Sequence, residues 1–318
     1  MTVEYLRAIA VLKDCSVPQL SGAMRVMTKH DEVPGKHKIE FLGIIDLPST
    51  DMSCVYTTLL FVEAQHKKMK LPGLAVCTFD QPLWQKAMIV KAHMNIHMVI
   101  MLGNFHVQMS FLGSIGYVMT NSGLEKAHIS IYGEKSVKKI INGKEYERSM
   151  RANSLAASAL RMLLLQQIPE EEQYALEAAE LYFKSLMEND NKSTFWILEG
   201  NPVVDNLMEI INESRESLSQ SPLNKLFFTY LDMNDILTYN YIAERLGDWT
   251  CYLESLKMML PYLAAIGHTQ SACTGTSKRW NSLTKIHLGH SRKSLDLLCV
   301  ELTLHSLAHL TICVLNRL

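Results

Sequence analysis

Two residues at the ends of apolar runs are the first candidates for chemistry. The chain reads T-F-D-Q-P-L at 78–83 and V-I-M-L-G-N-F-H-V-Q-M-S-F-L-G-S-I-G at 99–116. Leu74–Phe79 and Met98–Leu102 have the continuous apolar character of buried strands. Asp80 follows the first and His106 lies just past the second. Strand ends are where α/β folds place their sites. The sharp reading makes Asp80 a site carboxylate and His106 the histidine that orients it or meets a phosphate. The plain reading makes Asp80 the N-cap of a helix opened by Gln81-Pro82, and His106 a first-turn helical residue. Residue chemistry alone fixes no reaction. Elsewhere, His287 with His290 and His305 with His309 have ligand-like spacing, yet no cysteine or carboxylate motif accompanies them.

The whole chain limits what such a site can serve. Its 318 residues can bury a sizeable core and suggest two domains. A hydrophobic content of 48% with 20% charge is that of a globular protein. The net charge of −1 excludes a uniformly basic nucleic-acid binder, though local basic patches are allowed. The seven cysteines are dispersed and none forms C-x-x-C, which argues for reduced thiols inside a cell. No apolar run approaches the roughly 18 residues of a membrane span, and no signal peptide is evident. The expectation is a soluble intracellular protein with no membrane partner, nucleus and cytoplasm both left open.

The elements that must position Asp80 and His106 form an alternation. Residues 39–48 read as a strand closed by Pro48. A helix follows over Val55–Lys70, with Thr57, Leu60, Val62 and Ala64 inward and a basic last turn suited to the helix dipole. Then come the strand Leu74–Phe79, a helix to Lys91, the strand Met98–Leu102 and a helix over Phe105–Met119, stopped at Asn121-Ser122-Gly123. Strand and helix in turn imply parallel pairing. After about residue 125 the pattern is helical: Glu134–Ile141, Glu145–Gln167, Pro169–Asn189, Val203–Ser219, Leu223–Leu246 and Trp249–Ile266, the last two parted by Gly247-Asp248. The reading is an N-terminal extension at 1–38 and an α/β layer with a small parallel or mixed sheet at 39–125. A large all-helical region at 126–268 and a divergent tail at 269–318, with one helix over Leu295–Leu318, complete it. The lysine clusters 67-68-70 and 135-138-139 read as solvated faces before a DNA track. The methionines from Met88 to Met119 read as core filling.

Several blocks carry a resemblance. Thr50-Asp51 through Val55-Tyr56-Thr57, T-F-D-Q-P-L at 78–83, the G-x-F-H-x-x-M-S-F-L-G-x-I-G block at 103–116 and S-G-L at 122–124 come in order. Y-L-D-M at 230–233, G-D-W at 247–249, M-L-P-Y at 259–262 and A-A-x-G-H at 264–268 follow. Over roughly 40–268 the chain resembles an uncharacterised animal multigene family derived from DNA transposons, itself distantly similar to RNase H-like transposases.

The resemblance implies an RNase H-like layer. It also implies that carboxylates there would hold two divalent ions, magnesium or manganese, for phosphodiester cleavage of DNA. Carried onto this sequence, Asp80 is the second metal carboxylate, His106 the turn histidine and Asp46 the first carboxylate, with Asp51 next in line. No spacing selects a third among Glu177, Glu180, Glu244, Glu254 and Glu301. The later acidic and Gly/Arg-rich blocks of the family have no counterpart after 268. The favoured expectation is therefore a degenerate, non-catalytic fold or interaction module with no cofactor. An active metal-dependent nuclease with DNA as partner, or a helical scaffold for a protein partner, are the alternatives.

Overall fold

A computed structural model describes residues 2–13, 37–41, 45–46, 48, 51–70, 73–188, 200–266, 299–304 and 310–317. The turn expected at Pro34-Gly35, and His287, His290, His305 and His309, lie outside the described residues. The chain separates into an α/β unit, residues 33–110 and 267–318, and a helical unit, residues 1–32 and 111–266.

In the α/β unit, β1 (His37–Phe41) leads to α2 (Met52–Lys68), β2 (Ala75–Phe79), α3 (Gln81–His93), β3 (Met98–Leu102) and the first half of α4 (Asn104–Val118). β2 and β3 pair in parallel from Ala75 opposite Met98 to Phe79 opposite Leu102, so both strands end at one level. Nearly every residue of the two strands is buried, which explains runs without polar alternation. Ala75, Cys77, Phe79, Met98 and Ile100 share a core with Val55, Leu59 and Val62 of α2 and Leu83, Ala87 and Val90 of α3. The α2 spacing 55, 59, 62 and the α3 spacing 83, 87, 90 are those of one helical face. The inward face of α2 is thus Cys54, Val55, Thr58, Leu59, Val62 and His66. Thr57, Leu60 and Ala64, expected inward, are exposed, because the Val55–Leu59–Val62 stripe offers the larger continuous apolar surface. The last turn of α2 carries His66, Lys67 and Lys68 as expected.

The C-terminal residues depart from expectation. Cys299–Leu304 (β4) and Leu310–Arg317 (β5) are extended in place of the helix expected over Leu295–Leu318. The run Thr311-Ile312-Cys313-Val314 is rich in β-branched residues that favour extended backbone. β4 pairs in parallel with β2, β5 antiparallel with β4, and β1 antiparallel with β5, giving the order β1-β5-β4-β2-β3. The sheet is mixed, and β1 is not the neighbour of β2.

The helical unit contains α1 (Thr2–Leu12), the second half of α4, α5 (Leu124–Tyr132), α6 (Glu134–Ile141), α7 (Tyr146–Leu165), α8 (Gln173–Glu188), α9 (Pro202–Leu218), α10 (Pro222–Leu246) and α11 (Trp249–Ala265). Tyr5, Leu6 and Ile9 of α1 are buried with Leu164 and Leu165 of α7, Leu176, Ala179 and Phe183 of α8, and Leu207 and Ile211 of α9. Helix ends follow the sequence signals. Asn201 Oδ1 accepts from the Val203 and Val204 amides at 3.0 and 3.3 Å, ahead of Pro202 at the first turn. Gly247 ends α10 in the left-handed conformation at φ 69°, and Asp248 caps α11 by accepting from the Cys251 amide at 3.0 Å.

Candidate functional site

The site begins where β2 and β3 finish together. Asp80 follows Phe79 and Gly103 follows Leu102, so the register sets them side by side. The Gly103 amide donates to Phe79 O at 2.8 Å, tying the two strand ends together. Asp80 then turns into α3. Its Oδ1 accepts from the Leu83 amide at 3.0 Å, and its backbone carbonyl accepts from the Trp84 amide at 2.8 Å. This is an N-cap, with Pro82 in the first turn where a missing amide does no harm. The carboxylate also suits the positive end of the helix dipole.

His106 occupies the first turn of α4. Its amide and that of Val107 donate to Gly103 O at 3.1 and 3.3 Å. The ring folds back over Gly103: a Cβ built there would lie 3.9 Å from His106 Cδ2, 3.6 Å from Thr78 Cγ2 and 3.4 Å from Phe79 O. Phe105 meets the His106 ring edge-on at 5.4 Å and is itself 47% exposed. Asp80 and His106 are brought to one end of one strand pair, as the sequence suggested.

Asp46 is not. It is exposed and lies past the isolated bridge at Ile45, outside β1, which ends at Phe41. The strand expected through 39–48 stops early. Asp51 precedes α2 as an exposed N-cap residue with no side-chain cap bond. Of the candidate third carboxylates, Glu177 and Glu180 lie on α8, Glu244 on α10 and Glu254 on α11. Only Glu301 belongs to the α/β unit; the register sets it beside Thr78 on β4, two positions short of Asp80. Among the described residues no three His, Cys, Asp or Glu side chains gather as a metal site would require.

The second half of the 103–116 block performs packing. A Cβ at Gly113 would lie 3.4 Å from Asn142 O, and one at Gly116 only 2.1 Å from Ile141 O. The two glycines let α4 pass against the end of α6. Phe111, fully buried, meets Tyr262 of the M-L-P-Y block edge-on at 6.0 Å.

A polar cluster that sequence reading missed lies in the helical unit. Arg161 of α7 pairs with Asp235 of α10, both almost wholly buried, and Arg215 of α9 pairs with Asp232 of α10 at 2.7 Å. Arg161 lies over the Tyr5 ring at 5.4 Å. The Tyr5 hydroxyl is buried with no hydrogen-bond partner among the described residues, and burial pushes its pKa up. Burial also raises Asp235, against the opposing pull of Arg161. Tyr230 donates to Asn153 Oδ1 at 3.0 Å beneath the same helices. A usable signal existed: Arg161 in A-L-R-M-L-L-L, and Asp232 and Asp235 at i, i+3 in Y-L-D-M-N-D-I-L, are charges inside apolar helical runs. Such charges are buried only when paired.

No curated protein and no solved structure matches the chain. A family of proteins described as a domain of unknown function, DUF8702, matches residues 19–277, spanning both Asp80 and His106 and most of the helical unit, and the chain belongs to that family.

Proposed function

We propose that this protein is a transposon-derived module whose RNase H-like layer persists as a fold and interaction unit without catalysis. The observation that carries the reading is the use made of Asp80. The carboxylate that the resemblance would make a metal ligand accepts from the Leu83 amide at 3.0 Å and holds the start of α3. Asp46, its expected partner, is exposed and off the strand. The mixed sheet, with parallel strands leading to Asp80 and Gly103, supports an RNase H-like ancestry.

The cap and the metal ligand make separable demands. A cap needs an acceptor oxygen, whereas a hard divalent cation favours the full negative charge of a carboxylate. Asp80→Asn keeps an acceptor and removes the charge; Asp80→Ala removes both. The reading expects Asp80→Asn to stay within about 1 kcal/mol of wild type, the part due to the helix dipole, and Asp80→Ala to lose about 1 kcal/mol more. Magnesium and manganese titrations by calorimetry should give equal heats for wild type and Asp80→Asn. A binding heat present in wild type and absent from Asp80→Asn would overturn the reading.

The metal-dependent nuclease is the second reading, favoured by one observation. Glu301 stands on the strand next to β2, level with Thr78. Asp80 and Glu301 would then hold the magnesium or manganese, which would activate the attacking oxygen on a phosphodiester. Loss of that binding heat on Glu301→Gln as well as Asp80→Asn is the result that would select it.

A further inference from the structure

We propose that the basic face formed by α6 and the start of α7 docks the phosphate backbone of duplex DNA. This surface lies in the helical unit and does not depend on Asp80 or His106. The whole chain is nearly neutral, but its charge is unevenly placed. The 18 residues from Glu134 to Arg151 hold six Lys or Arg (Lys135, Lys138, Lys139, Lys144, Arg148, Arg151) against three Glu (Glu134, Glu145, Glu147). That is a net +3, leaving 25 basic against 29 acidic residues, −4, for the remainder.

The structure turns this run into a surface. Val137 and Ile140 of α6 are fully buried, so the opposite side, with Lys135, Lys138 and Lys139 exposed, faces solvent. Residues spaced i, i+3 and i+4 project from one helical face about 5–6 Å apart. Lys144, Arg148 and Arg151 are exposed on the turn and first turns of α7. The two helices are locked in place. Ser149 Oγ, fully buried, donates to Ile140 O at 2.8 Å. Glu145 bridges the corner, at 3.3 Å from Lys139 Nζ and 2.9 Å from Arg148 Nη1. That bridge sets a lysine of α6 and an arginine of α7 on one side. Lys135, Lys138, Lys144 and Arg151 form no ion pair among the described residues.

A polyanion fits this face better than a lipid surface. A helix lying on a membrane needs its apolar residues free to enter the headgroups. In α6, Val137 and Ile140 are fully buried and Ile141 partly so. A spread of point charges over two helices, without an apolar pocket, suits a uniform line of phosphates. Such contacts position a protein on DNA without reading sequence.

The experiment is fluorescence anisotropy of a labelled random-sequence duplex with the full chain, at several salt concentrations. Wild type should bind with log affinity falling linearly against log salt. The triple variant Lys135→Ala/Lys138→Ala/Lys139→Ala should bind at least tenfold more weakly at low salt, its slope shallower by about 0.9 for each phosphate it no longer neutralises. Glu145→Gln should bind more tightly than wild type, because it releases Lys139 and Arg148 from their bridge. A control, Lys67→Ala/Lys68→Ala on α2, should leave affinity unchanged. Circular dichroism confirms that each variant keeps its helix content. The proposal is overturned if wild type shows no salt-dependent binding, if the triple variant binds as wild type does, or if anionic vesicles are bound and the duplex is not.

Discussion

Gly116→Ala tests whether the second half of the 103–116 block serves packing. Elsewhere in a helix this change stabilises by about 1 kcal/mol, because alanine has the better helix propensity. Here the added methyl would sit 2.1 Å from Ile141 O, 2.9 Å from Ile141 C and 2.6 Å from Ile141 Cγ2. A rotamer change at Ile141 moves only the last of these atoms. The carbonyl belongs to the backbone at the end of α6, so α4 and α6 must separate. Overpacking of this kind costs roughly 1–3 kcal/mol and sometimes more. With no flexible tip to absorb the overlap, the upper end applies, and after the propensity gain the expected net loss is about 2 kcal/mol. Gly113→Ala is the internal control. Its methyl would stand 3.4 Å from Asn142 O, near ordinary contact, so its change should lie within about 1 kcal/mol of zero, where propensity gain and mild crowding offset each other. Urea unfolding followed by circular dichroism measures both. A Gly116→Ala protein as stable as wild type, or more so, would refute the close approach of α4 and α6.

Three other outcomes follow from buried polar groups in the helical unit. Tyr5→Phe removes a hydroxyl that has no partner among the described residues, so it should be neutral or stabilise by about 1–2 kcal/mol in thermal unfolding; a loss would mean the hydroxyl is bonded. Arg161→Met strands Asp235 and should cost about 3–5 kcal/mol, while Arg161→Met/Asp235→Leu should recover much of that loss; equal losses would refute the pairing. His128 is buried and desolvation lowers its pKa. The unfolded chain then binds the proton more readily than the folded one, so stability is full above about pH 6.5 and falls as pH drops through the lowered folded value. His128→Leu should flatten that part of the pH–stability curve, and an unchanged slope would count against the burial.

Element types in the middle of the chain were legible because their signals agree. Apolar runs without alternation marked β2 and β3, Pro82 and Asp80 marked the start of α3, and Gly247-Asp248 marked the α10–α11 break. The facing of α2 was misjudged because both of its stripes contain apolar residues, and only the packed core separates them. The extended C-terminal strands were missed because Leu295–Leu318 fits a helical period about as well as a β-rich run. Partners in a sheet decide between the two, and sequence does not display partners. Asp80 and His106 were found by their strand-end positions. Arg161 and Asp235 each stand as a charge inside an apolar run, but their pairing was not legible because they are 74 residues apart in sequence.

The resembling blocks have structural uses in the fold. Phe111, Gly116 and Tyr262 pack helices, Asp248 of G-D-W caps α11, and Asp232 of Y-L-D-M pairs with Arg215. Asp80 contributes one cap bond, worth about 0.5–2 kcal/mol. Native stability of ordinary domains is about 5–15 kcal/mol. Removing any reaction at Asp80 while keeping an acceptor oxygen there would cost the fold at most about 1 kcal/mol, and removing the oxygen too would still leave most of it. An aspartate at position 80 is therefore no evidence for catalysis, since the cap alone accounts for it. What a cap cannot account for is binding of a divalent cation, so a magnesium or manganese heat lost on Asp80→Asn is the observation on which an active site would have to rest.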